Sequence, residues 1–266
     1  MTDRPRITCF ILAMNERDKI VDAVQSVLWC DEILVIDSGS TDGTVEAATA
    51  LGARVVQVPF HGFGRLRNDA LEHCTGDWIF SLDADERCTK EARDAMLRIA
   101  ADPDSAAIWQ VPRRNWFMGR WIRHSGWYPN FRQPQFFRRG SMRYDLLPVH
   151  EGWIPAPGAR VSRLPAEIWQ FPFKDLEQVL AKANRYSSLG AEKLHERHVH
   201  PGAIKAILHG THAFLKHYFL KAGVLDGWPG FLIALGNFEG TFWRYAKHHE
   251  RAHRRNPPSP GRIERP

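Results

Sequence analysis

The sequence predicts an α/β fold, in which a mainly parallel central sheet is flanked by helices and followed by a helical C-terminal extension. In the first hundred residues, short apolar runs alternate with segments whose apolar residues recur at helical spacing. The apolar runs are nearly continuous, which is typical of strands that are buried on both faces. Repeated alternation of this kind indicates strands joined by crossover helices, and therefore a parallel sheet.

Four strands and four helices follow from this pattern. The predicted strands lie at residues 7–12, 32–36, 54–58 and 78–82. The predicted helices lie at residues 18–28, 44–51, 66–74 and 89–101. Gly52 marks the end of the second helix, and Thr89 is expected to cap the fourth helix at its N-terminus.

The remainder of the chain has a different composition. Residues 108–170 are dense in Trp, Arg, Pro and Gly, which predicts an irregular substrate region with short strands rather than a second regular layer. From Phe173 the spacing of apolar residues becomes helical, and residues 256–266 are proline-rich and expected to be disordered. We therefore expect a catalytic domain at 1–172, a helical extension at 173–255 and a disordered tail.

The net charge of +6 is concentrated at the end of the chain. From His195 onwards there are eleven Lys and Arg residues against five Asp and Glu residues, together with nine of the 13 histidines. Helices expected at about 203–221 and 231–249 interleave these basic residues with aromatic ones. A basic, aromatic segment on a neutral body indicates binding to an anionic surface, either a membrane or a nucleic acid.

Composition also argues against several classes of protein. No run of about 18 apolar residues is present, so no spanning helix is expected, and the N-terminal residues lack a secretory signal, which predicts a cytosolic protein. The four cysteines form no CxxC pair, which argues against a structural zinc site or a disulfide framework. Residues 62–68 do not match the dinucleotide-binding pattern, and the sequence contains no P-loop motif.

Acidic and small polar residues follow three of the predicted strands, at residues 14–17, 37–44 and 83–86. Parallel strands end at the same edge of a sheet, and open α/β sheets bind their ligands beyond that edge. We therefore expect these three segments to meet at a ligand site.

The last of these segments contains two aspartates, Asp83 and Asp85, separated by one residue. The chain bends at a strand end, so both carboxylates can face one hard cation such as Mg²⁺ or Mn²⁺, which prefer oxygen ligands. The cation would also hold a diphosphate and stabilise the charge that builds on it as it leaves. The alternative is an ordinary acidic turn, but the position after the fourth strand, with Asp37 ahead of it, favours the metal site.

Asp37 has two interpretations. Its carboxylate could accept hydrogen bonds from a nucleotide base or ribose. Alternatively, the loop of residues 38–44 caps the next helix, through Ser40, Thr41 or Asp42. The two interpretations are compatible, because Asp37 ends the strand and Asp42 lies nearer the helix.

In combination, these segments resemble glycosyltransferase family 2, whose members have the Rossmann-like GT-A fold. The matching features of the first half are Asn15-Glu16, residues 35–44, Arg67-Asn68 and residues 82–86. Segments that are similar to the lipopolysaccharide-core β-1,4-glucosyltransferase group lie at residues 114–120, 126–129, 136–138, 149–151 and 223–230.

The resemblance implies a role for each residue of the site, most of them in a nucleotide-sugar half at about 1–105. The nucleotide sugar would be bound by Asn15, Glu16, Asp37, Ser38, Arg67 and Asp83. The metal, Mn²⁺ or Mg²⁺, would be bound by Asp83, Asp85 and His150. Glu151 is the implied catalytic base, because an inverting transferase must deprotonate the acceptor hydroxyl as it attacks the anomeric carbon. The alternative for His150 and Glu151 is a surface pair on a loop.

The acceptor is expected to bind the second half of the domain, at about 106–172. Seven arginines lie among tryptophan and phenylalanine between residues 113 and 139, which would suit a phosphorylated, lipid-linked saccharide. The acceptor-binding candidates are Arg114, Arg120, Trp127 and Arg138. The alternative is that the aromatic rings fill a small core and the arginines are solvated above it.

The sequence therefore predicts an inverting, metal-dependent hexosyltransferase that moves a sugar from a nucleotide diphosphate sugar such as UDP-hexose to a lipid-linked saccharide such as lipopolysaccharide core. Basic helices with aromatic rings suit a peripheral position on the cytosolic face of the inner membrane, or a cap packed on the catalytic domain. A metal-dependent nucleotidyltransferase and a nucleic-acid-binding protein are the alternatives. We expect no nucleic-acid partner, because the basic segment contains no recognisable binding motif.

Overall fold

The structure is a computed structural model that describes residues 4–129, 133–146, 152–200 and 202–253. The chain divides into two compact units. The first comprises Met1–Trp121 and Trp127–Pro172, and the second comprises Ile122–Gly126 and Phe173–Pro266. The sequence did not predict that a five-residue segment from the middle of the chain belongs with the helical unit. The disorder expected at residues 256–266 lies outside the described residues.

The described part of the first unit contains thirteen strands. They are β1 (Ile7–Ala13), β2 (Glu32–Asp37), β3 (Arg54–Gln57), β4 (Trp78–Asp83), β5 (Glu86–Arg87), β6 (Ile108–Gln110), β7 (Arg113–Phe117), β8 (Arg120–Trp121), β9 (Pro134–Arg138), β10 (Met142–Tyr144), β11 (Trp153–Pro155), β12 (Val161–Arg163) and β13 (Ile168–Gln170).

Seven of these strands form a central sheet with the order β12-β6-β9-β4-β1-β2-β3. Strand β9 is antiparallel to both of its neighbours, and all the other neighbouring pairs are parallel. A four-stranded sheet with the order β5-β13-β7-β8 and a two-stranded sheet of β10 and β11 complete the unit. The mainly parallel central sheet confirms the predicted α/β class.

Helices cover both faces of the central sheet, as predicted. They are α1 (Arg17–Ser26), α2 (Thr44–Ala50), α3 (Phe63–His73) and α4 (Lys90–Ala101). Alternate residues of β1 point into two separate apolar cores: Ile7, Cys9 and Ile11 pack in the core that α1, α2 and α4 cover, and Phe10 and Leu12 pack in the core that α3 covers. The expected N-cap of α4 is confirmed, because the Thr89 side chain accepts a hydrogen bond from the amide of Ala92.

Helix α3 begins three residues earlier than the sequence predicts, because the chain packs unusually closely there. A Cβ atom on Gly64 would lie 2.0 Å from the carbonyl oxygen of Asp145, so only glycine permits this approach. The apolar spacing used for the prediction starts at Leu66, which is the first residue of the helix with a buried apolar side chain.

The segment from 108 to 170 is more regular than predicted. It supplies β6, β9 and β12 to the central sheet and β7, β8 and β13 to the four-stranded sheet. Each of these strands has only two to five residues, which is too short to produce a recognisable apolar alternation in the sequence. The predicted short strands are therefore confirmed, but they belong to ordered sheets rather than to an irregular region.

The second unit is built from helices α5 (Leu176–Glu196), α6 (Ala203–Leu215) and α7 (Gly227–Ala252). A π-helical turn at Lys216–Leu220 and a 3₁₀ turn at Gly223–Asp226 join α6 to α7. Among the described residues no single helix is long and apolar enough to cross a bilayer; by length and composition alone, the pair Ala203–Leu220 and Gly223–Ala252, bent by 69°, meets that requirement.

Asp226 holds the segment Ile122–Gly126 in this second unit. Its carboxylate is buried and accepts hydrogen bonds from the backbone amides of Arg123 and His124, at 3.1 Å each, and from Ser125 Oγ at 3.0 Å. A Cβ atom on Gly230 would lie 1.9 Å from the carbonyl oxygen of Gly223, so the turn that carries Asp226 also requires glycine. These contacts account structurally for much of the motif at residues 223–230.

Glu32, the first residue of β2, stabilises the central sheet through hydrogen bonds. Glu32 accepts hydrogen bonds from Thr8 Oγ1 at 2.6 Å, from the amide and hydroxyl of Thr75 at 3.0 and 2.9 Å, and from Arg54 at 2.7 Å. Burial works to raise the pKa of Glu32, but these hydrogen bonds outweigh it and lower the pKa from 4.5 to about 2.

We therefore predict that Glu32→Gln lowers the free energy of unfolding by about 1–3 kcal/mol at pH 7. Because the pKa of Glu32 is lower in the folded state, its contribution is fully present above pH 4.5 and is lost as the pH falls towards 2. Urea unfolding between pH 7 and pH 3.5 measures the difference, with the exposed Glu46→Gln as control. A difference that stays constant below pH 4.5 would contradict this account.

Candidate active site

The three polar segments predicted from the sequence lie at one edge of the central sheet. In the registers of the parallel pairs, Ala13 lies opposite Asp37, and Leu12 lies opposite Asp83. Strands β1, β2 and β4 therefore end side by side, and the residues that follow them share the carboxyl edge. This confirms the expected meeting of the segments at the place where α/β sheets bind ligands.

The loops after β1 and β2 are hydrogen-bonded to each other. Asn15 has a left-handed backbone (φ 56°), and its side-chain oxygen accepts a hydrogen bond from the amide of Thr41 at 2.8 Å. In return, Ser40 Oγ accepts a hydrogen bond from the amide of Asn15 at 2.8 Å, and Thr44 Oγ1 accepts one from Glu16 at 2.9 Å. These hydrogen bonds hold the two loops in a fixed position beside Asp83.

Asp37 is fully buried and serves the loop that follows it. Its Oδ2 accepts hydrogen bonds from the amides of Gly39 and Ser40, at 2.9 Å each, and its Oδ1 accepts one from Ser40 Oγ. Asp42 accepts a hydrogen bond from the amide of Thr44, the first residue of α2. The N-cap of α2 is Gly43, without a side-chain cap hydrogen bond, so the expected capping by Ser40, Thr41 or Asp42 is wrong, although Asp42 contacts the first residue of the helix. The predicted nucleotide contact of Asp37 stays a prediction.

Ser38 also lies at this edge. Its amide donates to the carbonyl oxygen of Ala13 at 3.0 Å, whereas its hydroxyl is buried and has no hydrogen-bond partner among the described residues. Since buried hydroxyls are normally paired, an unpaired one beside the strand ends suits a contact to a ligand. Glu16, the other predicted donor contact, forms an ion pair with Lys19 at 3.1 Å.

Asp83 is paired with a guanidinium group from α3. Arg67 donates to Asp83 Oδ1 at 2.7 Å and to Ser81 Oγ at 2.9 Å, and its guanidinium carbon lies 5.5 Å from the centre of the Tyr144 ring. Burial works to raise the pKa of Asp83, but the positive charges of Arg67 and Arg113 outweigh it and lower the pKa. Asp83 is therefore a carboxylate whose negative charge is already balanced.

Asp85 is in the opposite electrostatic situation. Burial and the negative charge of Asp83 raise its pKa to about 6, while its nearest hydrogen-bond donor, Gln170 Nε2, is neutral and 3.4 Å away. The backbone on either side is fixed, because the carbonyl oxygen of Asp85 accepts from the amide of Phe171 at 2.8 Å. The positive charges of Lys19 and Arg113 oppose the rise in the pKa of Asp85, but within the described residues no cationic side chain forms an ion pair with it.

Glu86 was not among the predicted site residues, but its side chain supports the acidic turn. It is fully buried, and its Oε2 accepts from the amide of Asp83 at 2.9 Å and from Gln135 Nε2 at 2.7 Å. Its Oε1 lies 2.6 Å from Arg113 Nε. Burial raises the pKa of Glu86 to about 8, against the opposing charge of Arg113. Glu86 therefore ties the residue that begins the acidic turn to two other strands.

Arg113, Gln135 and Gln170 were also missed as functional residues. Arg113 was one of seven arginines in its region, and nothing in the sequence distinguished it. Gln135 and Gln170 lie on strands β9 and β13, whose places beside β4 and β5 follow from pairings between residues far apart in the chain. Only Glu86 carried a signal, since it directly follows the two aspartates.

Asn68, the neighbour of Arg67, holds the strand on the far side of α3. Its Nδ2 donates to the carbonyl oxygen of Tyr144, and its Oδ1 accepts from the amide of Tyr144, at 2.9 Å each. The adjacent Arg-Asn pair therefore fixes both Asp83 and β10. The predicted base Glu151 and metal ligand His150 follow β10, but both lie outside the described residues, so their roles stay predictions.

Three of the four acceptor-binding candidates lie on or beside the four-stranded sheet. Arg114, on β7, forms an ion pair with Glu167 and lies over the Trp121 ring, 4.4 Å from its centre. Arg120 is an exposed residue of β8. Trp127 is fixed by its carbonyl oxygen, which accepts from Asn115 Nδ2 at 2.7 Å.

The fourth candidate, Arg138, lies away from the carboxyl edge of the central sheet. In the antiparallel pairing of β4 with β9 it lies opposite Trp78, at the amino end of β4, and so at the other end of this strand from Asp83. Its guanidinium group packs over the Trp78 ring and donates to the carbonyl oxygens of Asp102 and Pro103. Because β9 runs antiparallel to β4, Arg138 lies apart from the acidic turn, and its predicted contact with the acceptor stays a prediction.

The acidic turn fits a divalent cation in its donor chemistry. Two carboxylates follow one strand, and Asp85 has a pKa raised by its neighbour, which is the imbalance that a hard cation would relieve. Within the described residues, no three His, Cys, Asp or Glu side chains are grouped as a complete metal site. A cation here would therefore take its remaining ligands from a diphosphate or from water, as Mg²⁺ commonly does.

The chain is similar in sequence to known glycosyltransferases. A model of the family described as "Glycosyl transferase family 2" matches residues 8–154. Lipopolysaccharide core biosynthesis glycosyltransferase LpsC from Rhizobium meliloti (strain 1021) is 33% identical over 255 residues, which cover 92% of this chain and 92% of LpsC. An uncharacterized glycosyltransferase from Rickettsia bellii (strain RML369-C) is 28% identical over 95% of this chain and 89% of its own length.

Among solved structures, the chain is similar to glucosyl-3-phosphoglycerate synthase from Mycobacterium tuberculosis in complex with Mn²⁺, UDP and glucosyl-3-phosphoglycerate. The similarity has a TM-score of 0.37 at 27% identity, and it covers 41% of this chain and 44% of the synthase. The matched part is therefore less than half of either chain.

The position of Glu86 predicts a supporting role in ligand binding. Glu86→Gln keeps the shape of the side chain, but the amide group that replaces one carboxyl oxygen cannot accept hydrogen bonds. The contact to Arg113 or the bonds from Asp83 and Gln135 are therefore lost, and the turn at Asp83 becomes less firmly held. We expect Mn²⁺-dependent UDP affinity, measured by isothermal titration calorimetry, to fall by about tenfold, as is usual when a residue supporting metal ligands is changed.

The exposed residue Glu72 on α3 provides the matched control, since Glu72→Gln makes the same substitution far from Arg113. Unfolding curves of both variants separate loss of affinity from loss of fold. Wild-type affinity in a folded Glu86→Gln protein would show that the turn does not depend on Glu86.

Proposed function

This chain belongs to glycosyl transferase family 2, and we propose that it transfers a hexose from a nucleotide diphosphate sugar to a lipid-linked saccharide, with inversion at the anomeric carbon. The chain is a glycosyltransferase with the GT-A fold that the resemblance implies: a mainly parallel sheet with flanking helices, followed by C-terminal helices. Family membership also removes the support for a nucleotidyltransferase, which was one of the alternatives.

One observation carries the proposal. At the carboxyl edge of the sheet, Asp83 forms an ion pair with Arg67, whereas Asp85 beside it forms none within the described residues and has the neutral Gln170 as its hydrogen-bond donor. A partly buried carboxylate without an ion pair favours a ligand that brings positive charge. A divalent cation bound together with a nucleoside diphosphate meets this requirement and supplies the diphosphate with a counter-charge.

The proposed donor is a UDP-hexose. Asn15, Glu16, Asp37 and Ser38 lie in the interlocked loops beside Asp83, where they would contact the nucleotide, and the unpaired hydroxyl of Ser38 supports this assignment. The similar protein LpsC is named for lipopolysaccharide core biosynthesis, which supports a saccharide acceptor. The choice of UDP for this chain is part of the proposal.

The reaction moves one glycosyl group. The acceptor hydroxyl oxygen forms a bond to the anomeric carbon on the side opposite the diphosphate, and the bond between that carbon and the diphosphate oxygen breaks with its electron pair. Asp83 and Asp85 would hold a divalent cation, which stabilises the charge on the departing diphosphate. The base that accepts the hydroxyl proton is, by the resemblance, Glu151, with His150 as a further metal ligand.

The proposed place of action is the cytosolic face of the inner membrane, where a lipid-linked acceptor is anchored. The second unit supports this proposal through its exposed apolar face, defined as Ile204, Ile207, Leu208, Leu215, Phe219 and Leu220. Their side chains are between 46% and 79% exposed, and they recur at helical spacing along α6 and the π-helical turn. Globular proteins rarely leave so continuous an apolar stripe in water.

The charges around this face match an anionic lipid surface. Lys205, Lys216 and Lys221 lie along the same stretch, and residues 203–225 contain no Asp or Glu. The opposite side of α6 packs on α7, where a Cβ atom on Gly210 would lie 3.1 Å from the Phe238 ring. Helices with a basic rim and an apolar face bind in the headgroup layer of anionic membranes.

The metal site is tested by nucleotide binding. With UDP at one hundred times its Kd and saturating Mn²⁺, wild-type protein should gain about 2.7 kcal/mol of stability, seen as a raised Tm. Asp83→Asn and Asp85→Asn should lose this gain, because each removes a carboxylate ligand. With a UDP-hexose donor, the wild type should release UDP rather than pyrophosphate.

The exposed Asp104→Asn variant is the control for loss of a carboxylate, and it should keep the full shift in Tm. If both site variants fold and bind UDP with Mn²⁺ as tightly as the wild type does, the proposed function is wrong.

Membrane binding is tested by co-sedimentation with vesicles. Wild-type protein should bind vesicles containing phosphatidylglycerol and should be released as the salt concentration rises, because surface charges are screened. The double variant Leu208→Asp and Leu220→Asp should reduce binding by at least about tenfold, since it removes apolar contacts and adds repulsion.

Leu28→Asp is the matched control, because Leu28 is 55% exposed but lies in the first unit. Equal binding by all three proteins would contradict a role for the exposed apolar face.

A further inference from the structure

The four-stranded sheet has two chemically different faces. One face carries Glu86, Gln170, Asn115 and Arg113, which belong to or adjoin the acidic turn. The other, which we call the aromatic face, carries two rows of side chains. They are Arg87, Trp169 and Arg114 in the first row, and Phe171, Trp116 and Trp121 in the second.

Beside the aromatic face lies a cleft of about 590 Å³. Its walls are Asp22 of α1, Arg87, residues 88–91 at the start of α4, Trp169 and Phe171. Clefts of this size that combine aromatic walls with a few polar groups are typical of small-molecule sites. None of these residues except Arg87 and Phe171 touches the acidic turn in the contacts described.

The cleft is joined to the acidic turn through those two residues. Arg87 Nη1 donates to the carbonyl oxygens of Ala84 at 2.9 Å and Glu86 at 2.7 Å, and the amide of Phe171 donates to the carbonyl oxygen of Asp85. The side chains of Arg87 and Phe171 line the cleft, with the guanidinium carbon 5.8 Å from the centre of the ring. The cleft therefore lies directly behind the turn that holds Asp83 and Asp85.

The charges in the cleft balance each other. Arg87 lies 3.3 Å from Asp22, and the start of α4 contributes Lys90 and Glu91 side by side. The cap of α4 is already occupied, since Thr89 Oγ1 accepts from Ala92 and donates to the carbonyl oxygen of Glu167. A cleft without excess charge favours a neutral ligand that makes many hydrogen bonds over an anion.

Trp169 supplies an apolar surface for such a ligand. Its side chain is 39% exposed, and it is supported by Trp116, whose ring centre lies 5.4 Å away in an edge-to-face arrangement. An indole ring offers a flat apolar surface, and the neighbouring Asp22, Arg87 and Lys90 offer acceptors and donors for hydroxyl groups. This combination fits a pyranose ring, which has an apolar face and hydroxyl groups around its edge.

We propose that this cleft binds a neutral hexose residue of the acceptor saccharide, stacked on Trp169, at a position separate from the reacting hydroxyl. The assignment to the acceptor rests on the proposed glycosyl transfer. Occupation of the cleft places a second sugar of the acceptor behind the acidic turn and selects acceptors long enough to reach it.

The test is direct binding of sugars to the full chain. Methyl β-glucoside, methyl β-galactoside and maltose are titrated in saturation-transfer NMR, with inorganic phosphate as the anionic probe. We expect at least one sugar to bind with a Kd on the order of 1 mM. Trp169→Ala should weaken that binding by about tenfold, which is the effect of losing an aromatic stacking surface.

Trp243→Ala is the matched control, because Trp243 is also exposed, at 51%, but lies on α7 of the second unit. Trp169→Phe should retain part of the affinity, which keeps the test usable if Trp169→Ala does not fold. Binding of no sugar, equal sugar binding in wild type and Trp169→Ala, or binding of phosphate alone would overturn the proposal.

Binding of UDP with Mn²⁺ is measured on the same wild-type sample. If UDP binds and no sugar does, the cleft proposal fails and the proposed function stands. If a sugar binds in a manner that depends on Trp169 while UDP does not bind, the sugar site in the cleft stands, whereas the proposed function and the assignment of that sugar to the acceptor fail.

Discussion

Three carboxylates, those of Asp83, Asp85 and Glu86, lie within four residues at the end of a buried strand, and their mutual repulsion has to be balanced. Arg67 compensates Asp83 from α3, and Arg113 compensates Glu86 from β7. No cationic side chain forms an ion pair with Asp85 among the described residues. Two of the three side chains thus have an ion-pair partner and Asp85 has none, which suits the proposed cation site.

The surrounding loops make this arrangement rigid. Between the loops after β1 and β2, the amide of Asn15 donates to Ser40 Oγ and its side-chain oxygen accepts from the amide of Thr41. Asp37 accepts a hydrogen bond from the amide of Gly39 within its own loop. On the other side, Asn68 fixes the end of β10 while Arg67 fixes Asp83. Sites that are held in place before the ligand arrives lose less conformational entropy on binding, so these contacts serve the function as well as the fold.

The parts of the fold that depend on local pattern could be predicted from the sequence. Strands β1, β2 and β4 could be predicted because their apolar runs are long, and the acidic turn could be placed because it directly follows β4. Residues whose role depends on pairing between distant segments could not be predicted. Gln135 reaches Glu86 only because β9 lies antiparallel beside β4, and the same pairing places Arg138 away from the acidic turn. The short strands between 108 and 170 gave no periodic signal.

The proposed function assigns a different task to each unit. The first unit would bind the nucleotide sugar and carries the cleft behind the acidic turn, and the second has an exposed apolar face with basic residues that would suit a membrane. Asp226 binds a segment from the middle of the chain into the second unit by four contacts to one buried carboxylate. The motifs shared with the resembling group are therefore of two kinds, those that contact ligands and those that hold the chain in place.

The most direct measurement of the central claim is anomalous diffraction from crystals of this protein grown with UDP and Mn²⁺. The account predicts a manganese peak at roughly 2.0–2.3 Å from a carboxylate oxygen of Asp85 or Asp83, and also in contact with the diphosphate. Ordered UDP with no manganese peak at these carboxylates, or with the peak on other residues, would contradict it.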